Sequence, residues 1–148
     1  MKKTFPIAKP AASACLCGHK VRYDGGDCAA QNALPEQVLP ICPEVMGGLP
    51  TPRAPAEIVG GDGHDVWAGS ARVLDAHGVD VTEAFKQGAI LALQRLQAVH
   101  IDTVYLKSKS PSCGQGQIYD GSFSGQLREG DGVSTALFKQ HGICVISL

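Results

Sequence analysis

Six cysteines are the side chains of this 148-residue sequence that are best suited to chemistry. They make up about 4% of the chain, below the roughly 8–10% of disulfide scaffolds, so some of them need another explanation. Cys15, Cys42 and Cys113 each lie at or just after the carboxyl end of a predicted strand. Three thiolates could hold zinc with one open coordination position, or an iron–sulfur cluster with one iron lacking a cysteine. Their gaps of 27 and 71 residues match no familiar metal motif, so spacing alone leaves both open.

The other three cysteines have more ordinary interpretations. Cys144 lies in an apolar run and is expected to be a buried small hydrophobe. Cys28 lies in a glycine-rich loop and is expected to be a spectator thiol. Cys17 would share one face with Cys15 if both continued a strand, so the participation of Cys17 stays open.

Glu44 is a candidate acid or base. It follows Cys42 by two residues, in a segment, 42–49, whose prolines and glycines predict no regular helix. A carboxylate beside a metal centre suits proton exchange. The alternative is a surface glutamate that caps a turn.

The segment 107–114 is a candidate binding loop that ends around Cys113. Three serines and two lysines precede this cysteine, among them Ser110 and Ser112. Successive backbone N–H groups in such a loop, up to Gly114, can form an anion-binding concavity, and the hydroxyls can donate to a substrate or to cluster sulfur. The alternative is a polar loop of turn-forming residues.

Two arginines near the cysteines are candidate clamps for an acidic group. Arg22 is the candidate for binding substrate, and Arg53 lies in a proline-rich segment. Either could instead pair with a nearby carboxylate, Asp24 or Glu57.

An alternation of strands and helices must position these side chains. The apolar patterns predict strands over 11–15, 38–42, 103–107 and 144–147, a weaker one over 71–75, and helices over 81–98 and 133–141. Asp80 and Glu83 predict a capping box at the start of the first helix. We expect a single small α/β domain with a mainly parallel sheet flanked by helices, and irregular active-site loops at the carboxyl ends of the strands.

Composition narrows the class of protein. With 44% hydrophobic residues, 18% charged residues and a net charge near -1, the chain predicts one soluble domain over 1–148. It lacks the charge excess of a general nucleic-acid binder, and a small-molecule partner is expected. It has neither a signal-peptide pattern nor an apolar stretch long enough to span a membrane, so we expect a cytoplasmic protein, and a monomer.

Several motifs together resemble those of a small bacterial family, formerly of unknown function, that includes the 2-thiouracil desulfurases. The resemblance covers nearly the whole chain in order, and its main motifs are Ser13-Ala-Cys-Leu-Cys-Gly18, Cys42-Pro-Glu-Val-Met-Gly-Gly-Leu49 and Leu106-Lys-Ser-Lys-Ser-Pro-Ser-Cys-Gly114. One departure is Cys17, where an aliphatic residue is expected.

The resemblance implies a 4Fe-4S cluster held by Cys15, Cys42 and Cys113, with the fourth iron open to a thiocarbonyl sulfur. It also implies that Glu44 and Ser110 handle protons. The expected reaction is the non-redox, water-dependent conversion of 2-thiouracil, or a related thiolated pyrimidine, to uracil and sulfide.

Two alternative functions stay open. One is cluster-dependent sulfur transfer to a tRNA base, against which the neutral charge and the lack of an RNA-binding module argue. The other is a non-catalytic iron–sulfur or zinc protein that binds a metabolite.

Overall fold

The fold combines one parallel sheet with two small antiparallel sheets and several helices. A computed structural model describes residues 9–18, 22–26, 34–35 and 37–148. Within these ranges the strands are β1 (Ala11–Ser13), β2 (Leu39–Ile41), β3 (Ala56–Val59), β4 (Arg72–Asp75), β5 (Thr103–Leu106), β6 (Gln117–Tyr119), β7 (Leu127–Glu129) and β8 (Cys144–Ser147). The α-helices are α1 (Pro43–Met46), α2 (Gly63–Ala68), α3 (Thr82–Ala98) and α4 (Val133–Gln140), and a 3-10 helix covers Ala14–Cys17.

The main sheet has the strand order β2-β1-β5-β8, and its neighbouring strands pair in parallel. The chain moves from β1 to β2 on one side, and later returns to the other side of β1 with β5. The loops after β1 and β5 therefore diverge, and such a switch point opens a crevice at the carboxyl ends of the strands. The predicted α/β fold with a mainly parallel sheet is confirmed.

The long helix α3 supplies much of the core through residues at helical spacing, including Phe85, Ala89 and Leu96, which are at most 2% exposed. Its start differs from the prediction. Asp80 Oδ1 accepts hydrogen bonds from the Thr82 backbone nitrogen at 2.9 Å and from the Thr82 hydroxyl, in place of the predicted capping box with Glu83. The sequence identified Asp80 correctly as the side chain that bonds the start of the helix, but its partner is Thr82, two residues further along the chain.

Other elements were predicted only in part. The weaker predicted strand, over 71–75, forms as β4. It pairs with β3, which was not predicted, in a separate antiparallel sheet. The hairpin of β6 and β7 and the helix α2 were also missed. Cys144 begins β8 as predicted, yet it is exposed, so its prediction as a buried hydrophobe is wrong. Alternation along the strand turns the next side chain, Val145, to the core instead.

Among the described residues, none of the helices has the length and apolar character needed to span a bilayer. The predicted spectator role of Cys28 falls outside the described residues and stays a prediction.

Candidate active site

A cavity of about 730 Å³ lies where the strands β1, β2 and β5 end. Its wall includes Cys15, which follows β1, Cys42, which follows β2, and Cys113, in the loop after β5. The structure therefore brings together the three cysteines that the sequence predicted as ligands. The volume lies within the range of about 300–1,000 Å³ that is typical of small-molecule pockets.

Cys15 is positioned by the end of β1. The strand stops at Ser13, whose hydroxyl accepts a hydrogen bond from the Lys107 backbone nitrogen at 2.9 Å and so ties the end of β1 to the end of β5. The chain then enters the 3-10 helix, in which Cys15 is 9% exposed. Strand alternation does not apply there, because a 3-10 helix turns about 120° per residue and residues two apart face different directions. Among the described residues, Cys15 belongs to the cavity wall and Cys17 does not.

Cys42 is the N-cap residue of the short helix α1. The expectation that segment 42–49 holds no regular helix is wrong, because Pro43 occupies the first helical position, where its missing N–H costs nothing. The helix packs tightly on α3. A Cβ atom added at Gly88 would lie 1.8 Å from the Pro43 carbonyl oxygen, and one added at Gly47 would lie 2.0 Å from a carbonyl oxygen of α3. Two glycines thus allow the contact that positions Cys42.

The loop that carries Cys113 is held by the N-terminus of α4. The carbonyl oxygens of Pro111 and Ser112 accept hydrogen bonds from the first backbone N–H groups of that helix, at 2.7 and 2.8 Å. The Cys113 carbonyl oxygen accepts one from the Thr135 hydroxyl at 2.9 Å. The first N–H groups of a helix have no hydrogen-bond acceptor within the helix, so the carbonyl groups of the loop satisfy donors that would otherwise be left without a partner.

The environment of the thiols raises their pKa values. The pKa of Cys113 is raised to about 12, mainly by burial and also by the charges of Glu44 and Cys42, while hydrogen bonds from Ser112 and Ser13 act in the opposite direction. Burial is also the main cause of the raised pKa of Cys42. The chain therefore favours protonated thiols here until a positive centre displaces the protons.

Glu44 lies in the cavity wall and is paired with Arg53. The Arg53 Nε donates to Glu44 Oε2 at 3.0 Å, and Nη2 contacts the same oxygen. The Glu44 side chain is 17% exposed and the Arg53 side chain is 8% exposed. The arginine also donates to the Pro50 carbonyl oxygen at 3.1 Å, which anchors it. The sequence offered Asp24 or Glu57 as its partner, but the fold selects Glu44.

Ser110 also lines the cavity, one turn before Cys113. Its hydroxyl oxygen accepts a hydrogen bond from the Cys113 backbone nitrogen at 2.7 Å. A hydroxyl that accepts in this way keeps its own proton to donate, and it can point that proton into the cavity.

The three predicted substrate-binding residues take different places. Arg22 lies in the cavity wall, with its guanidinium 5.7 Å from the centre of the Tyr23 ring. Ser112 and Gly114 are not among the described wall residues. The Ser112 hydroxyl is buried and bonded to the Ser134 hydroxyl at 2.9 Å, and the Gly114 carbonyl oxygen accepts from the Gly132 backbone nitrogen at 2.8 Å.

Residues 11–148 match the model of the 2-thiouracil desulfurase family. The chain belongs to this family. It is also 45% identical over 139 residues to the uncharacterized protein YbbK of Bacillus subtilis (strain 168), which spans 91% of this chain and 92% of that protein. A solved structure of TudS, a 4Fe-4S-dependent thiouracil desulfidase, superposes with a TM-score of 0.80 at 44% identity, covering 94% of this chain and 89% of the other. The predicted family is thus confirmed.

Among the described ranges of the chain, no group of three or more His, Cys, Asp or Glu side chains could hold one metal ion. A cluster differs from a single ion in this respect, because each of its cysteines binds a different iron atom and the thiolates stand farther apart.

Glu57, on β3, is one of the charged wall residues that the sequence did not predict for the site. It is 9% exposed, and its carboxylate accepts hydrogen bonds from the loop between β6 and β7. The available signal was a carboxylate in the short apolar run that forms β3, but its burial depends on a strand pairing that local pattern did not indicate. Phe123, on that same loop, also lines the cavity and was missed.

Proposed function

We propose that this protein is a desulfurase that converts 2-thiouracil, or a related thiolated pyrimidine, to uracil and sulfide. The observation that carries the proposal is the meeting of three cysteines, Glu44 and Ser110 in one cavity, in a chain of the 2-thiouracil desulfurase family. The reaction exchanges a C=S bond for a C=O bond, consumes one water and releases hydrogen sulfide. No net electron transfer is needed. A cytoplasmic location and a monomeric state stay predictions.

The donor set of the cavity suits a 4Fe-4S cluster. Thiolates are the protein ligands of such clusters, and Cys15, Cys42 and Cys113 would hold three of its irons. Buried serine hydroxyls near Cys113, those of Ser13 and Ser112, can donate to sulfur. When bound, the cluster supplies an iron that lacks a protein thiolate, acts as a Lewis acid and has an affinity for soft sulfur.

Glu44 is placed to move the proton of the attacking water or of a ring nitrogen. Its ion pair with Arg53 fixes the side chain at the cavity wall, two residues from Cys42. A group that exchanges protons must stand within hydrogen-bond reach of the reacting atoms, and the position of Glu44 in the wall of the cavity that holds the cysteines supports this role.

Ser110 positions the substrate or relays a proton. Its oxygen is held by the Cys113 backbone nitrogen, so the hydroxyl proton is the part left to interact with a ligand. Arg22 is the wall residue proposed to bind an electronegative substrate atom. Ser112 and Gly114 contribute to substrate binding through the shape of the loop that carries Ser110 and Cys113.

Anaerobic reconstitution followed by an absorbance assay on 2-thiouracil tests this function. The proposal expects about four irons and four sulfides per chain, a broad brown absorbance that is lost in air, and production of uracil and sulfide in equal amounts. One zinc per chain and no iron after anaerobic purification from iron-replete cells would remove the cluster. Sulfur transfer to a tRNA base is the alternative if the cluster forms but free thiouracil is untouched and tRNA gains sulfur. A cluster-bearing protein that alters neither substrate would be a binding protein.

A further inference from the structure

Glu57 is a buried carboxylate that has no cationic partner among the residues that the structure describes. No lysine or arginine nitrogen of the described chain lies within 4.0 Å of it, although it is 9% exposed. Burying a charge without compensation is costly. The compensation comes from one loop, because Oε1 accepts hydrogen bonds from the backbone nitrogens of Gly121 and Phe123, at 3.0 and 3.1 Å. Charge-assisted bonds of this kind are the stronger ones.

The loop held by Glu57, residues 120–126 between β6 and β7, has a strained conformation. Phe123 adopts a φ of 57°, in the left-handed region that side chains with a Cβ atom rarely occupy. Gly121 has a φ of 91°, and a Cβ atom there would lie 2.5 Å from the Ile58 carbonyl oxygen. Such strain persists only where surrounding contacts determine the conformation, and Glu57 supplies two of them.

The result of this arrangement is that Phe123 forms part of the cavity wall. Its side chain is 40% exposed, although an aromatic ring gains free energy by leaving water. A planar ring bound in the cavity would cover that exposed face. Leu127, on the same hairpin, is similarly exposed at 38% but is not among the described wall residues, so exposure alone does not place a side chain at the cavity.

We propose that Phe123 is a specificity-determining residue that contacts the ring of the substrate, and that Glu57 is the positioning residue that holds Phe123 in place. The inference rests on the proposed function, because it takes a thiolated pyrimidine as the ligand. Glu57 acts through the loop and transfers no proton. It is distinct from Glu44, whose carboxylate is paired with a guanidinium and stands beside the cysteines.

The binding test uses the anaerobically reconstituted protein and equilibrium dialysis with uracil, the proposed product, which has the same pyrimidine ring and is not consumed. Phe123→Ala should weaken binding on the order of tenfold, as expected when a base loses an aromatic contact, and Phe123→Tyr should restore it. The matched control is Leu127→Ala, which removes an equally exposed apolar side chain from the same hairpin and should leave binding unchanged. Phe123→Ala protein that binds as the wild type does would overturn the specificity role.

The positioning role is tested by a double-mutant cycle and by amide hydrogen exchange. Glu57→Ala should raise KM with little change in kcat per intact cluster, and Glu57→Gln, which keeps an acceptor oxygen, should fall in between. Combined with Phe123→Ala, Glu57→Ala should add nothing further, since both act on one contact. The amides of Gly121 and Phe123 should exchange faster in Glu57→Ala protein. Unchanged exchange, fully additive effects or a lowered kcat at constant KM would each overturn the positioning role.

If the proposed function is wrong, the binding, turnover and exchange measurements give a combination of results that differs from the outcomes above. Wild-type protein that carries a cluster but neither binds uracil nor turns over 2-thiouracil would remove the proposed function and the role of Phe123 together. The exchange measurement would still decide whether Glu57 holds the loop, because it needs no substrate.

Discussion

The segment of Cys42 and the loop of Cys113 deliver thiols to the same cavity but are held by different forces. Helix α1 holds Cys42 by close packing, in which Gly88 lets the Pro43 carbonyl oxygen approach the backbone of α3. The Cys113 loop is held by hydrogen bonds from the first turn of α4 and from Thr135.

This difference predicts how each side of the cavity tolerates change. Close packing against backbone has no room to relax, so a single added methyl group must move a whole element. A set of several hydrogen bonds loses only a part of its stabilisation when one of them is removed. The Cys42 side should therefore be the more sensitive to small changes in shape.

The largest expected effect removes the thiols themselves. Cys15→Ser, Cys42→Ser and Cys113→Ser should each lose the cluster and the activity together, measured as iron and sulfide per chain after anaerobic reconstitution. Cys17→Ala and Cys144→Ala are the controls and should keep both, because neither residue is among the described wall residues. Cys17→Ala protein as poor in iron as Cys15→Ser protein would show that the first ligand is wrongly assigned.

The next effect separates chemistry from assembly. Glu44→Gln and Ser110→Ala should keep the cluster absorbance but lose on the order of a hundred- to ten-thousand-fold in turnover, the usual cost of removing a general acid or base. The measurement is turnover per intact cluster. Glu83→Gln, at a side chain that is 91% exposed, is the matched control. Glu44→Gln protein within a few-fold of the wild type would leave proton transfer to another group.

A methyl group at Gly88 tests the packed side of the comparison. Gly88→Ala should lower the free energy of unfolding by about 1–3 kcal/mol, because the added Cβ would meet the Pro43 carbonyl oxygen at 1.8 Å. Urea unfolding measures it, with Gln94→Ala at an exposed position of α3 as the control. A neutral result would mean that α1 can shift without cost.

A smaller loss is expected on the hydrogen-bonded side. Thr135→Val keeps the side-chain shape but removes the hydroxyl that donates to the Cys113 carbonyl oxygen, at a cost of about 1 kcal/mol. The same urea measurement applies, and Thr103→Val, at a part-exposed hydroxyl that bonds only Asp102 in the described contacts, is the control. If Thr135→Val proved more damaging than Gly88→Ala, the comparison between the two sides would be reversed.

The smallest effect is a pH dependence where the chain enters α4. Burial would raise the pKa of Asp131, but hydrogen bonds from the Gly116 backbone nitrogen, His64 and Lys139 hold it below its ordinary value. A carboxyl group with a lowered pKa in the folded state stabilises the fold above its unfolded pKa of about 3.9, and this contribution is lost as the pH falls through the folded value. Stability of the wild type should therefore decline in acid more steeply than that of Asp131→Asn, as thermal unfolding between neutral and acidic pH would measure.

Local sequence pattern was sufficient for the elements whose signals are local. The helix α3 and the strand β5 need only periodicity and side-chain type, and both were predicted to within one residue at each end. The proximity of Cys15, Cys42 and Cys113 also followed from sequence, because the carboxyl ends of parallel strands meet at one edge of a sheet. A capping box was predicted at Asp80, but among the described helices it is α2 that has one, formed by Asp62 and Asp65, where the reciprocal partner is an aspartate.

Only the tertiary structure decided which charged side chains pair and that Cys17 lies outside the described cavity wall. Arg53 had several carboxylates within reach along the sequence, and the fold pairs it with Glu44. Glu57 faces the cavity because β3 pairs with β4, and its partners lie 64 and 66 residues away. Cys17 is kept from the wall by a 3-10 turn that replaces the expected strand. The contacts of Glu57 join residues far apart in the chain, and the energy of such contacts cannot be read from a local window of sequence. The pairing of Arg53 and the turn at Cys17 are shorter in range, but each competes with an alternative that the same local sequence also allows.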